Sequence, residues 1–148
     1  RMSTGFAPTS GTHTYTGLVL DATINQTGGA NGVTRGIYVN PTLTSAADFR
    51  AIEVAAGTIN VSKTITAPAT TGDQTINKLA GTVNIAAAGT TVTVTNSLVT
   101  ANSIIMCTIQ TNDTTAVIKN AIPAAGSFVI NLNTAATAET AVSFFIIN

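Results

Sequence analysis

Strict alternation of apolar and polar residues is the feature that most constrains the fold of this chain. Residues 91–95 alternate threonine with valine, and residues 127–132 place Phe128, Ile130 and Leu132 two positions apart. A period of two matches a β-strand, whose successive side chains point to opposite faces, and does not match the helical period of about 3.6. No convincing helical period appears elsewhere, so the sequence predicts an all-β protein.

Six segments predicted to be strands follow one another from residue 81 onward. Short stretches rich in Gly, Ala, Asn and Pro separate them, and such stretches are typical of turns. The predicted strands are 81–85, 90–95, 102–111, 116–122, 127–132 and 141–147. Strands at a spacing of roughly 8–12 residues predict a β-sandwich or a jelly-roll-like domain.

Two of these strands are apolar on both faces, which is typical of a central position in a sheet. We therefore expect 102–111 to be central. We expect 141–147 to be central or to be covered by a neighbouring subunit, because an exposed apolar edge would aggregate. We also expect the chain to end naturally after this last strand.

The N-terminal half shows weaker strand patterns. The predicted strands are 15–26, 33–40, 48–54 and 58–62. The last two flank the turn Ala55-Ala-Gly57 and predict a β-hairpin. The sequence thus predicts an N-terminal β-strand module (1–66), a connector (67–80) and a C-terminal β-sandwich (81–148). Hairpins of the N-terminal module are expected within one subunit or intertwined between subunits.

Charge is scarce in this chain. Six basic and six acidic residues give a net charge of zero, and charged residues make up 8% of the sequence, against roughly 25% in typical proteins. Monomers normally stay soluble through charge, so this composition predicts a surface partly buried between subunits. It also argues against nucleic-acid binding, because no Lys/Arg cluster is present. No apolar stretch is long enough to insert into a membrane.

Residues capable of catalysis or metal binding are few and scattered. Cys107 is the only cysteine and lies in an apolar strand pattern, whereas His13, the only histidine, is far away in sequence. Zinc sites need clustered Cys and His, and glycosidases need two facing carboxylates, usually with aromatic platforms. Asp113 is interpreted as a turn-capping residue, and Asp48 with Arg50 as an ion pair. We predict no enzyme activity, no catalytic residue, no cofactor and no metal.

Several segments carry a resemblance to a known family. They are 74–84, 94–104, 110–115, 121–128 and 135–140, preceded by 35–44 and 48–53. These segments resemble a C-terminal domain that recurs in bacteriophage and prophage tail-fibre or head-fibre proteins. The resemblance covers most of 15–148 and is densest after residue 74. It is carried by strand and turn sequences, so it implies a domain type without naming a ligand.

The resemblance implies a structural virion protein, the C-terminal part of a homotrimeric phage fibre that assembles with other virion proteins. Separately, we expect the domain to contribute to host attachment, with a host-surface glycan as the candidate ligand. Two other classes remain open at this point. One is a carbohydrate-binding β-sandwich module, which would favour exposed aromatic residues, and the other is a bacterial surface adhesin subunit.

Two sets of residues are predicted to make contacts outside the domain. The first is an oligomer interface on the apolar last strand, comprising Phe144, Phe145 and Ile147. The second is a ligand-binding set in the turns, where neutral side chains could bond sugar hydroxyls. Its members are Asn96, Asn112 and Thr114.

Overall fold

A computed structural model describes residues 9–11, 18, 20, 23, 35, 37–42, 44 and 48–148. The chain divides into two units, Arg1–Glu53 and Val54–Asn148, and all the described strands belong to the second. The predicted strand 15–26 lies almost wholly outside the described residues. The described part of 33–40 is not in a strand.

Eight strands and no helix occur among the described residues, which confirms the all-β prediction. The strands are β1 (Lys63–Ile65), β2 (Gln74–Thr75), β3 (Ala80–Ile85), β4 (Thr91–Thr95), β5 (Ile104–Ile109), β6 (Ile118–Ala124), β7 (Ser127–Leu132) and β8 (Thr140–Ile147). Strands β3 to β8 match the six strands predicted from residue 81 onward. Strands β1 and β2 were not predicted, because two or three residues are too few to show a period.

The strands form two mixed sheets of four. Sheet A has the order β1-β3-β8-β5, and sheet B has the order β2-β4-β7-β6. The short strands β1 and β2 run parallel to β3 and β4, and every other pair is antiparallel. Strand β8 therefore lies between β3 and β5, as predicted for a strand apolar on both faces.

One hydrophobic core lies between the two sheets. Sheet A contributes Val83, Ile85, Val142, Phe144 and Ile146, and sheet B contributes Val92, Val94, Phe128, Ile130 and Leu132. The rings of Phe128 and Phe144 meet edge to face, with centroids 5.0 Å apart and an interplanar angle of 68°. Such a pair contributes about 0.5–1.5 kcal/mol beyond the burial of its area. The predicted inward-facing residues of β4 and β7 are thus confirmed.

The prediction that 102–111 forms a central strand is wrong. Strand β5 is an edge strand of sheet A. Its inner residues pack against the core, but Ile104 and Met106 on its other side are 62% and 56% exposed. Apolar residues on both faces of this strand therefore do not indicate burial on both faces within one chain.

The predicted hairpin of 48–54 with 58–62 is also wrong, because neither segment is in a strand. Arg50 instead forms ion pairs with Asp48 and Glu53, each at 2.8 Å. Residues three apart point to opposite faces of an extended strand, so the contact between Arg50 and Glu53 is incompatible with one. Segment 48–62 thus contains strand-forming residues without a partner strand among the described residues.

Candidate functional site

The outer face of sheet A, which points away from the core, is the candidate functional site. Two cross-strand pairs lie side by side at one end of it: Ile147 opposite Ile104, and Phe145 opposite Met106. Directly opposed side chains have Cβ atoms about 4.5–5.5 Å apart. All four are exposed, Phe145 by 37% and Ile147 by 43%. They form a continuous patch, here called the apolar half.

Toward the other end, the same face becomes polar. Ser143 of β8 lies between Thr108 of β5 and Thr82 of β3, and Ala141 of β8 lies opposite Asn84 of β3. Because Val83 and Ile85 of β3 are in the core, the alternation of side chains directs Thr82 and Asn84 to the outer face. Both are nevertheless buried, so something covers them.

The cover is the segment that follows β1. The backbone N–H of Thr66 donates to Thr82 Oγ1 at 2.9 Å, and the Thr66 hydroxyl donates to the Thr82 carbonyl at 2.6 Å. Asn84 Nδ2 donates to the carbonyls of Ala67 and Thr70, at 2.9 and 3.2 Å. Two strand side chains therefore hold a loop over the end of the sheet.

A polar groove runs between this loop and the segment around Gln110. The backbone N–H of Ala69 donates to both carboxylate oxygens of Glu139, at 2.9 and 3.0 Å, and Ala69 itself has a positive φ of 64°. The groove has a volume of about 350 Å³. Its lining is Ile65, Thr66, Pro68, Thr82, Asn84, Gln110, Thr111, Glu139 and Ala141. Five lining residues carry a hydroxyl or an amide and one carries a carboxylate, while most of the exposed lining surface is apolar.

The structure separates the three predicted interface residues. Phe145 and Ile147 lie in the apolar half, whereas Phe144 is 3% exposed and packs against Phe128 in the core. The reason is the strand period, since neighbouring residues of β8 point to opposite faces. Phe144 therefore does not belong to the exposed surface. The contact of Phe145 and Ile147 with another subunit stays a prediction.

The three predicted ligand residues are also divided. Asn96 is fully buried: its Nδ2 donates to the Lys78 carbonyl at 2.8 Å, and its Oδ1 accepts from the Leu98 N–H at 2.9 Å. It supports the loop after β4 and is not available to a ligand. Asn112 and Thr114 are exposed, but neither lines the polar groove. The groove was missed because its walls come from segments far apart in sequence.

Asp113 connects two loops at one end of the domain. Its carboxylate accepts from the N–H groups of Ala116 at 2.7 Å, Thr137 at 2.8 Å and Thr115 at 2.9 Å. The hydroxyls of Thr137 and Thr140 donate to it as well. These donors, first of all the Ala116 amide, hold the pKa of Asp113 well below its ordinary value. Its interpretation as a turn-capping residue is confirmed.

Cys107 lies on the inner side of β5, beside a cleft between the edge strands β5 and β6. It packs against the core and is partly buried. Burial raises the pKa of its thiol to about 11, and a thiol that stays protonated is a poor nucleophile. This environment agrees with the interpretation of Cys107 as a small packing residue.

The described residues contain no group of three or more His, Cys, Asp or Glu placed to hold a metal ion. Within the same part of the chain, no helix is long and apolar enough to cross a membrane. Comparisons with protein-family models, with curated proteins and with solved structures gave no match to this chain.

Proposed function

We propose that this chain is the C-terminal part of a trimeric bacteriophage fibre, a structural protein of the virion without enzymatic activity. The observation that carries the proposal is the apolar half of sheet A. Four large apolar side chains lie exposed together in a chain of which only 8% is charged. The resemblance of the strand and turn segments to phage fibre domains supports the assignment to a virion.

Self-association of the apolar half is favoured by simple energetics. Full burial of one large apolar side chain contributes roughly 1.5–3 kcal/mol, and a cyclic trimer repeats each contact three times. A monomer would instead expose the patch with a net charge of zero, and it would lack the repulsion that keeps proteins apart in solution. A closed trimer buries this exposed apolar patch instead.

For the architecture, we propose a jelly-roll-like β-sandwich preceded by an N-terminal module of the fibre. The order of the strands supports it. Among β3 to β8, four of the five connections pass from one sheet to the other, and only β6 and β7 are joined within a sheet. Repeated crossing between two sheets that share a core is the connectivity of Greek-key sandwiches.

Measurement of the native mass tests the trimer. Three chains of 14.9 kDa give about 45 kDa. Phe145→Asp places a charge in the apolar half and should give monomers or insoluble chains. Thr91→Asp, at an exposed position on the outer face of sheet B, is the matched control and should remain trimeric. A soluble Phe145→Asp trimer with an unchanged melting temperature would contradict the assignment of the interface.

The polar groove favours a second function, the binding of a neutral host-surface glycan. Its exposed polar side chains, Gln110 and Thr111, can hydrogen-bond to sugar hydroxyls. A single weak site would gain strength from three copies on one fibre end. The absence of Trp agrees with a weak site, because aromatic stacking on a sugar ring is then limited to Phe and Tyr.

Adsorption of the whole fibre to host cells tests glycan binding and locates it. Gln110→Ala changes the groove, whereas Asn112→Ala and Thr114→Ala change the neighbouring exposed turn. We expect the groove variant alone to lower adsorption several-fold while the trimer persists. If the turn variants alone lower it, the site is in the turn. Undiminished adsorption by all three trimeric variants would show that this domain does not bind the receptor.

A further inference from the structure

The two edge strands that face each other across the cleft differ in their protection. Strand β6 contains Lys119 at a shift of register between Ile118 and Asn120, and Pro123 follows in the same strand. A charged side chain, an irregular register and a proline all hinder the addition of another strand. Strand β5 has none of these features over its six residues and pairs with β8 in regular register. The edge at β6 is therefore protected against the addition of a strand, and the edge at β5 is open to it.

Every second residue of β5 directs its backbone N–H and C=O groups away from the sheet. The N–H of Gln110 donates to the carbonyl of Ala141 at 2.8 Å, which fixes the alternation along the strand. Even-numbered residues of β5 therefore turn their N–H and C=O groups toward β8. Ile105, Cys107 and Ile109 direct theirs away from the sheet, where no described strand lies. These groups are available to an added strand.

A candidate for that strand is present in the same chain. Residues 58–62 read Thr-Ile-Asn-Val-Ser, an uncharged alternation rich in β-branched residues, which favour strands. The segment is nevertheless not in a strand, and Ile59 is 72% exposed. Its sequence favours a strand that the single chain does not form.

We propose that residues 58–62 of a second copy of this chain add to the open edge of β5 as a further strand of sheet A. The spacing agrees, because Ile59 and Val61 are two residues apart, like Ile104 and Met106. Added in either direction, both side chains can lie beside Ile104 and Met106 and enlarge the apolar half. The other side of the added strand, which is polar, then faces the solvent-open cleft. This inference rests on the proposed trimer.

The strand must come from another copy because of where residues 58–62 are attached. Ser62 is bonded to Lys63, the first residue of β1, and β1 lies at the opposite edge of sheet A from β5. Three strand spacings of about 4.8 Å separate those edges by about 14 Å. The segment cannot lie along β5 of its own chain. A head-to-tail exchange, in which each chain gives one strand and accepts one, closes in a trimer.

Disulfide formation in the full chain tests the pairing. In a Cys107→Ala background, Ile59→Cys is combined with Ile104→Cys or with Met106→Cys, since the two directions of addition place Ile59 beside one or the other. Opposed positions in neighbouring strands are close enough for a disulfide. We expect one of the two pairs to give covalent trimers on oxidation, which reduction reverses. The control combines Ile59→Cys with Asn120→Cys, which lies on the protected edge strand β6. This pair should form few disulfides between chains.

The native mass of the same samples separates the two proposals. A trimer in which neither β5 position forms a disulfide between chains would overturn the strand addition and leave the trimer standing. Disulfides within single chains would overturn it equally. A monomeric mass for the protein without substitutions would overturn both proposals.

Discussion

Among the residues that the structure describes, Asp113 makes the most hydrogen bonds with its side chain. Its carboxylate accepts from three backbone amides and two hydroxyls, and these donors come from two segments distant in sequence, 115–116 and 137–140. Such bonds require the ionised form, because a protonated carboxyl accepts fewer of them. The loops at this end of the domain are therefore held together by a group that titrates in acid.

We expect this carboxylate to make the stability of the domain depend on pH in acid. The folded-state pKa of Asp113 lies below the value of about 3.9 found in unfolded chains. The stability that it contributes is fully present above that unfolded value and is lost as the pH falls toward the folded one. The melting temperature should therefore decrease once the pH is lower than about 4. Asp113→Asn should lower the melting temperature by several degrees near neutral pH and make it depend less on pH in acid. Thermal unfolding followed by circular dichroism measures this.

Glu53→Gln is the matched control, since Glu53 forms only an exposed ion pair. It should leave both the melting temperature and its acid dependence nearly unchanged. If Asp113→Asn unfolds with the same temperature and the same acid dependence as the unsubstituted chain, the role assigned to Asp113 is wrong.

Asn96 shows what sequence reasoning can and cannot find at the level of a residue. The sequence correctly predicts that Asn96 lies in a turn after a strand. From that position we predicted that Asn96 binds a ligand, whereas the structure buries it. Its burial depends on the carbonyl of Lys78, eighteen residues earlier in the chain. No local pattern reports such a partner, whereas the inward direction of Val92 and Val94 follows from the strand period alone.

At the scale of elements, Gly81 of β3 lies in close contact with both β1 and β8. A Cβ atom at this position would lie 2.8 Å from the Thr64 carbonyl oxygen and 2.9 Å from Cζ of Phe144. The first is a backbone atom of β1 and the second belongs to the buried ring that packs on Phe128. Neither can move aside freely, so the glycine permits this packing of three strands.

We expect Gly81→Ala to destabilise the domain by about 1–3 kcal/mol, the usual cost of overpacking a core. Ala80→Ser, at the neighbouring position on the outer face of the same strand, should change the free energy of unfolding by less than about 0.5 kcal/mol. Unfolding in urea compares the two variants. Equal stability of Gly81→Ala and the unsubstituted chain would contradict the close packing at this position.

The elements themselves were predictable where they were long enough and had a partner. Strands β3 to β8 each span five or more residues and all formed. Strands β4 and β7 show the period of two most clearly. Strand β2 spans only two residues and depends on β4 beside it. The segments 48–54 and 58–62 show the same period without forming strands. Periodicity reports the preference of a segment, and pairing requires a neighbour that the segment does not specify.

At the scale of the whole molecule, the order of strands in the sheets decided which predictions failed. The sequence does not distinguish β5 from β8, because both are apolar on both faces. Their positions differ because β8 has neighbours on two sides and β5 on one. The same difference creates the site. Strands β8 and β5 together place four apolar residues on one outer face, and β5 leaves a row of backbone groups that no described strand pairs.

The central position of β8 also has a consequence for the synthesis of the protein. Strands β3 and β5 are not neighbours, and β8, which follows both in the chain, joins them. On the ribosome, sheet A therefore cannot close until translation has passed β8. Phe145 and Ile147, two of the four residues of the apolar half, are part of β8 itself. A chain that stops before β8 lacks the middle of sheet A as well as two of the four residues of its proposed contact surface, so the sheet and that surface form together once β8 has been made.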